Sequence, residues 1–222
     1  PVGLMGGDME IIRGDAYYQS YICHIPRSTI ELGLNGSLDV LDGMIFPAIC
    51  DVIRNLSGMW QLMFPDTYTR YLDLPQNFAP GVGGAFYRHE LAALAADMGA
   101  LSGVEVTNER LLASIALYNE NAARIRALYD LRAEQPWQVP TAELYLLLRA
   151  GNVLPVEEHN ALLAAYAEAV REVERPRLDN SRIVLTGAFC EQPPLGLIRT
   201  LERAGCYIVD DDFVLGSRWM QG

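Results

Sequence analysis

Apolar residues at Val52, Ile53, Leu56, Met59, Trp60 and Met63 recur at steps of three and four, the period of a helix with one buried face. The runs on either side have a different character. "LDGMIFPAI" is a short apolar run after a turn and predicts a buried strand from Met44 to Phe46. "TRYLDLPQNF" predicts a second strand, which Pro75 stops. Strand, helix and strand in quick succession make a βαβ unit, and a βαβ unit implies a parallel sheet.

Ahead of this unit, "SYICHIPRSTIELGLNGSLD" predicts a helix from about Pro26 to Leu34, with Pro in the first turn and Gly36 past the end. After it the period stays helical for a long stretch. An amphipathic helix is expected from Ala85 to Leu101, stopped by Gly103. A second starts with Thr107 as N-cap and ends before Pro136. A third lies in "PTAELYLLLRAGN". A fourth lies in "LPVEEHNALLAAYAEAVREVERP", with Pro155 and two Glu in its first turn. Then strand signals return: "SRIVLTGAF" is a strand, "PPLGLIRTLERAG" a helix ended by Gly205, and "CYIVDDD" a strand. The expected class is therefore α/β, two Rossmann-like lobes with short parallel sheets joined by a helical insert. The first lobe is expected at 1–80, the helical region at 81–175 and the start of a second lobe at 176–222, after a linker in "VERPRLDN". An apolar run has just begun in "FVLGSRWMQG", so an internal fragment of a longer chain is expected.

Composition narrows the function classes. The net charge of −11 argues against nucleic acid, whose phosphates need clustered positive charge. All 17 basic residues are Arg, which codon choice alone would explain, yet the lack of Lys means the segment has no P-loop. "GVGGAF" puts Phe86 where a dinucleotide-binding loop needs its third Gly. If ATP is used, another chain must bind it. No apolar stretch approaches the ~18 residues of a membrane helix. Four cysteines without an export signal point to a reducing, cytoplasmic setting in which thiols serve as ligands or core residues.

Two of those cysteines share a frame. "YICHIPR" and "AICDVIR" both read Ile-Cys-x-[Ile/Val]-x-Arg, placing Cys23 and Cys50 at the mouths of predicted helices, with Arg27 and Arg54 four residues on. A helix N-terminus stabilises the thiolate that binds metal. Cys50 also follows a strand of a βαβ unit, where ligands of open α/β sheets gather. Cys190 follows "IVLTGAF" in the same way. Three thiolates from three loops suit an iron–sulfur cluster with one open site. The alternative is that each Cys is a small buried hydrophobe, which is the better reading for Cys206 at the head of its strand. Arg27 and Arg54 either cap carbonyls and form surface pairs or grip an anion beside a cluster. His24, next to Cys23, is the histidine to test as a proton donor. His159 is expected to be exposed in a helix's first turn, and Asp210 to Asp212 to form a solvated turn. Trp60, Met59 and Met63 are expected as a core stripe.

Taken together, "SYICHIPRSTIELG", "DGMIFPAICDVIRNLSGMWQLMFP", "YLDLPQNF", "GGAFYRHEL" and "GAFCEQPPLGLIRTLERAGCYIVDDD" resemble the 2-hydroxyacyl-CoA dehydratase family. Within it they look most like the substrate-binding, non-ATPase subunits of ATP-dependent benzoyl-CoA reductases. The resemblance implies Rossmann-like lobes and work as a pair with a homologous subunit. It implies a [4Fe–4S] cluster on three cysteines, carried here onto Cys23 and Cys50. The third is either Cys190 or a cysteine from a C-terminal segment beyond this sequence. It implies ATP-hydrolysing activator-like subunits and a ferredoxin as electron source, with an aromatic acyl-CoA as substrate. One-electron reduction of the thioester would give a ketyl-type radical anion. In a reductase the ring then takes a second electron and two protons; in a dehydratase the radical expels a β-hydroxyl.

Overall fold

The computed structural model describes residues 1–7, 9–187, 193–213 and 216. They form seven α-helices and four strands among the described residues, in two separate parallel sheets. The chain divides into two compact units, Met5–Arg110 and Leu111–Gly222 with Pro1–Leu4, so the helical stretch of 81–175 is shared between them.

The first unit runs α1 (His24–Leu34), β1 (Gly43–Pro47), α2 (Asp51–Met63), β2 (Tyr68–Leu72) and α3 (Ala85–Ser102). β1 and β2 pair in parallel, Gly43 opposite Tyr68 through Pro47 opposite Leu72, as the βαβ reading requires. Of the stripe on α2, Leu56 and Trp60 are buried, whereas Val52, Ile53, Met59 and Met63 are only half-buried; Ile30 of α1 and Met44 and Phe46 of β1 are buried in the same unit. Trp60 stacks on Phe64 with ring centroids 4.3 Å apart and meets Phe46 at 6.1 Å. Gly33 is what lets α1 lie this close, since a Cβ there would fall 2.6 Å from Trp60 and 2.8 Å from Phe64. α3 stops at Gly103, whose φ of 66° is the left-handed cap glycine favours. Four side chains fasten α3 to β2: the Arg70 guanidinium donates to Asp97 at 2.7 Å and to Glu90 at 3.2 Å, and the Tyr68 hydroxyl donates to Asp97 at 2.7 Å.

The second unit is built on α4 (Asn108–Glu134), α5 (Thr141–Ala150), α6 (Val156–Glu172), β3 (Ser181–Leu185), α7 (Leu195–Arg203) and β4 (Cys206–Asp211). Thr107 does cap α4, its hydroxyl accepting from the Arg110 N–H at 3.3 Å. Ile125, Leu128, Val139, Leu144, Leu148 and Leu163 close one core among the helices. Tyr145, Ile198, Ile208 and Phe213 close a second between α5 and the strands.

Two expectations are corrected here. His159 is buried, only 4% exposed. Its Nε2 lies 3.0 Å from the Leu147 carbonyl and its Nδ1 2.9 Å from the Asn121 amide, which itself donates to Asn160 at 2.7 Å. A carbonyl can only accept, so Nε2 carries the proton and Nδ1 accepts from Asn121. The ring is a neutral staple between helices, and its burial holds its pKa below the usual value. The three aspartates are not a solvated turn either. β3 and β4 pair with a register shift between Ile183 and Val184, so Ile183 faces Ile208 but Val184 faces Asp210. Simple alternation would put Asp210 on the inner face with Ile208. The bulge at Val209 turns Asp211 inward instead, where it is 3% exposed against Arg132, itself 0% exposed.

Candidate functional site

Cys23 is the N-cap of α1 and Cys50 the N-cap of α2, so the repeated frame places both thiols at helix mouths. Cys50 follows β1, at the carboxyl end of the strand, through a turn in which Ala48 N–H donates to Leu72 O at 3.0 Å. Both cysteines are exposed, and neither is a small core hydrophobe. Cys206 is partly buried on β4. Cys190 lies outside the described residues.

A residue that pattern reading passes over reaches the first turn of α2, next to Cys50. Tyr18 is half-buried, and its hydroxyl donates to the Val52 carbonyl, in the first turn of α2, at 3.3 Å. Burial, and after it the charges of Cys23 and Cys50, push this phenol up to about 12.

The segment carrying Tyr18 is clamped to α1. The Glu31 carboxylate oxygen accepts three successive backbone N–H groups, from Ile12 at 3.0 Å, Arg13 at 2.6 Å and Gly14 at 2.8 Å. These bonds, led by that from Gly14, hold the Glu31 carboxyl below its usual range. Arg27 pairs with Asp15 at 2.7 Å. Arg54 bonds the Tyr71 hydroxyl at 3.4 Å, lies over the Tyr71 ring at 5.3 Å and comes within 3.8 Å of Asp73. Arg27 thus has a structural partner, whereas Arg54 stays largely exposed with a long-range one. His24 is the first residue of α1, half-buried beside Cys23.

Two soft thiols, each at the positive end of a helix, are the donor chemistry of an iron–sulfur cluster. No group of three His, Cys, Asp or Glu suited to a metal occurs among the described residues. The thiols of Cys23 and Cys50 are of the kind such a cluster takes as ligands. No helix among them is long and apolar enough to cross a membrane.

An α/β chain with paired cysteines at helix mouths defines the class, and comparison with known proteins gives the family. Residues 1–222 match the family described as 2-hydroxyglutaryl-CoA dehydratase, D-component, and the chain belongs to it. It is 56% identical, along its whole length, to one of the subunits of benzoyl-CoA reductase from Thauera aromatica, covering 58% of that protein. It is 27% identical over 98% of its length to the beta subunit of lactoyl-CoA dehydratase from Anaerotignum propionicum, of which it covers 57%. The same identity and share of this chain hold for the beta subunit of (R)-2-hydroxyglutaryl-CoA dehydratase from Acidaminococcus fermentans, 58% of which is covered. The chain thus spans rather more than half the length of these relatives.

Proposed function

We propose that this chain is the cysteine-bearing α/β part of a subunit of an iron–sulfur enzyme that reduces the aromatic ring of benzoyl-CoA. The carrying observation is the placement of Cys23 and Cys50, both exposed and both at helix N-caps. The identity of 56% to a benzoyl-CoA reductase subunit, against 27% to dehydratase subunits, favours the reductase among the family's reactions. In this reading Cys23 and Cys50 ligate a [4Fe–4S] cluster and Cys190 is the proposed third thiolate. When bound, the cluster supplies low-potential single electrons.

The work of the chain's own residues is to hold and surround. Arg54, exposed near the Cys50 mouth, is offered to an anionic part of a CoA thioester. His24 is offered as a donor of one of the two protons that join two electrons in turning the ring into a cyclic diene. The electrons come from a ferredoxin through ATP-hydrolysing partner subunits, and the site is completed by a homologous substrate-binding subunit. The setting is the cytoplasm.

The test is iron and acid-labile sulfide per chain, on the full-length protein co-expressed with its partner and purified without oxygen. About four of each per chain, lost in Cys23→Ser/Cys50→Ser, is the expected result. No iron in either preparation overturns the reading. The family's description favours one second reading, a dehydratase subunit, and substrate decides between the two. Benzoyl-CoA-dependent ATP turnover supports the reductase. Activity on a 2-hydroxyacyl-CoA with none on benzoyl-CoA supports the dehydratase.

A further inference from the structure

Tyr18 belongs to neither cysteine frame, yet an unbroken series of contacts runs through it from one to the other. It starts on α1, capped by Cys23, where Glu31 accepts the N–H groups of Ile12, Arg13 and Gly14 and Arg27 pairs with Asp15. Gly14 is held so closely that a Cβ there would fall 2.3 Å from the Arg27 carbonyl oxygen. The single 3₁₀ turn Gly14–Ala16 then leads directly to Tyr18. The Tyr18 hydroxyl reaches across to the Val52 carbonyl, two residues beyond Cys50. This link joins the segment held on α1 to the first turn of α2.

We propose that Tyr18 is the positioning residue of the two-cysteine mouth: by seating its hydroxyl on the Val52 carbonyl it holds the N-termini of α1 and α2 so that Cys23 and Cys50 face a shared centre. The inference deepens the cluster reading, and its meaning for catalysis rests on that reading. Its geometric content stands by itself, because it concerns the two thiols with or without metal. Tyr18 has no periodic or motif signal to mark it in the sequence. Only the fold, by turning the chain back over α1, brings it beside α2.

The experiment uses a thiol-specific bifunctional alkylator, dibromobimane, on the full-length protein, reduced and stripped of metal, with the bridged cysteines identified by peptide mass spectrometry. Single-arm alkylation of Cys23 and of Cys50 is timed separately with monobromobimane. Wild type is expected to form a Cys23–Cys50 bridge. Tyr18→Phe, which keeps the ring and loses one hydrogen bond of about 1 kcal/mol, is expected to close that bridge about fivefold more slowly. Its single-arm rates should stay at the wild-type values, whereas general loosening of the unit would raise them. Tyr18→Leu, which loses the ring as well, should close it more slowly still. An unchanged closure rate in Tyr18→Phe overturns the proposal, as does the absence of a Cys23–Cys50 bridge in wild type or a parallel rise in both single-arm rates. A bridge that depends on Tyr18 in a protein that binds no iron would leave the positioning intact and remove the cluster reading alone. Iron in a protein whose bridge ignores Tyr18 would do the reverse.

Discussion

Replacing Arg132 by Met removes the cation from the driest ion pair in the described residues. The side chains of Arg132 and Asp211 are 1% and 0% exposed, and Nη2 lies 2.7 Å from Oδ2. The N–H does not point along that line, so the attraction is ionic more than directional. Around the pair, the Arg132 guanidinium lies 4.3 Å over the Tyr129 ring and Nη1 donates to Thr141 at 3.4 Å. On the other side, Asp211 Oδ1 accepts the Tyr129 hydroxyl at 2.9 Å and the Phe213 N–H at 3.1 Å. In Arg132→Met the carboxylate keeps these two neutral donors and loses its counter-charge. Leaving one member of a buried pair alone costs about 3–5 kcal/mol. At roughly 2–4 °C per kcal/mol for a chain of this size, the transition of this unit should fall by about 6–20 °C in calorimetry. The double variant Arg132→Met/Asp211→Leu removes both charges and should recover part of that loss. The Tyr129 hydroxyl and the Phe213 N–H then lack their acceptor, a residual cost of about 1–3 kcal/mol each. A single-variant loss below about 1 kcal/mol would mean that water reaches the pair, and the reasoning from burial would fail.

Three further outcomes are expected. Gly33→Ala gains about 1 kcal/mol of helix propensity but drives a methyl into Trp60 and Phe64. Overpacking of about 1–3 kcal/mol should win, and a urea titration showing a more stable variant would refute it. His159 has its pKa lowered by burial, so the unfolded chain takes up its proton first as pH falls. Its share of stability is therefore complete above about pH 6.5 and is lost progressively below it, as the sign of proton linkage requires. His159→Gln should flatten the denaturation midpoint between about pH 6.5 and 5, and an unaltered slope would refute the assignment. Glu31, also held low, behaves alike in a lower window: its contribution is present above the ordinary carboxylate pKa and lost below it. Glu31→Ala leaves three N–H groups without their acceptor, so the amides of Ile12, Arg13 and Gly14 should exchange faster in hydrogen-exchange mass spectrometry. Unchanged protection would show that the carboxylate does not hold the segment.

Legibility differs from element to element. Segments with a strong period are readable almost to the residue: the Val52–Met63 stripe is α2, and "SRIVL" and "CYIVDD" are paired parallel strands. Such patterns are local, because a helix or strand with one buried face must write that face into its own spacing. The Cys23 and Cys50 frames are legible for the same reason, since an N-cap is defined by the few residues around it. His159 and Asp211 defeat pattern reading because their partners, Asn121 and Leu147 for one and Arg132 and Tyr129 for the other, lie far off in sequence. A polar residue in a helix's first turn looks solvated until another helix closes over it. An acidic run after a strand looks like a turn until a one-residue bulge reverses which side chain points in.

Neighbouring residues are enough to set the α/β order of elements, the cysteine-capped helix starts and the absence of a P-loop lysine, so the linear chain settles all three. It takes the folded chain to make Glu31 gather the backbone of residues 12–14 and to carry Tyr18 to the first turn of α2. Those relations join residues many positions apart, and a chain's pattern records which face of each element is buried, not which other element buries it.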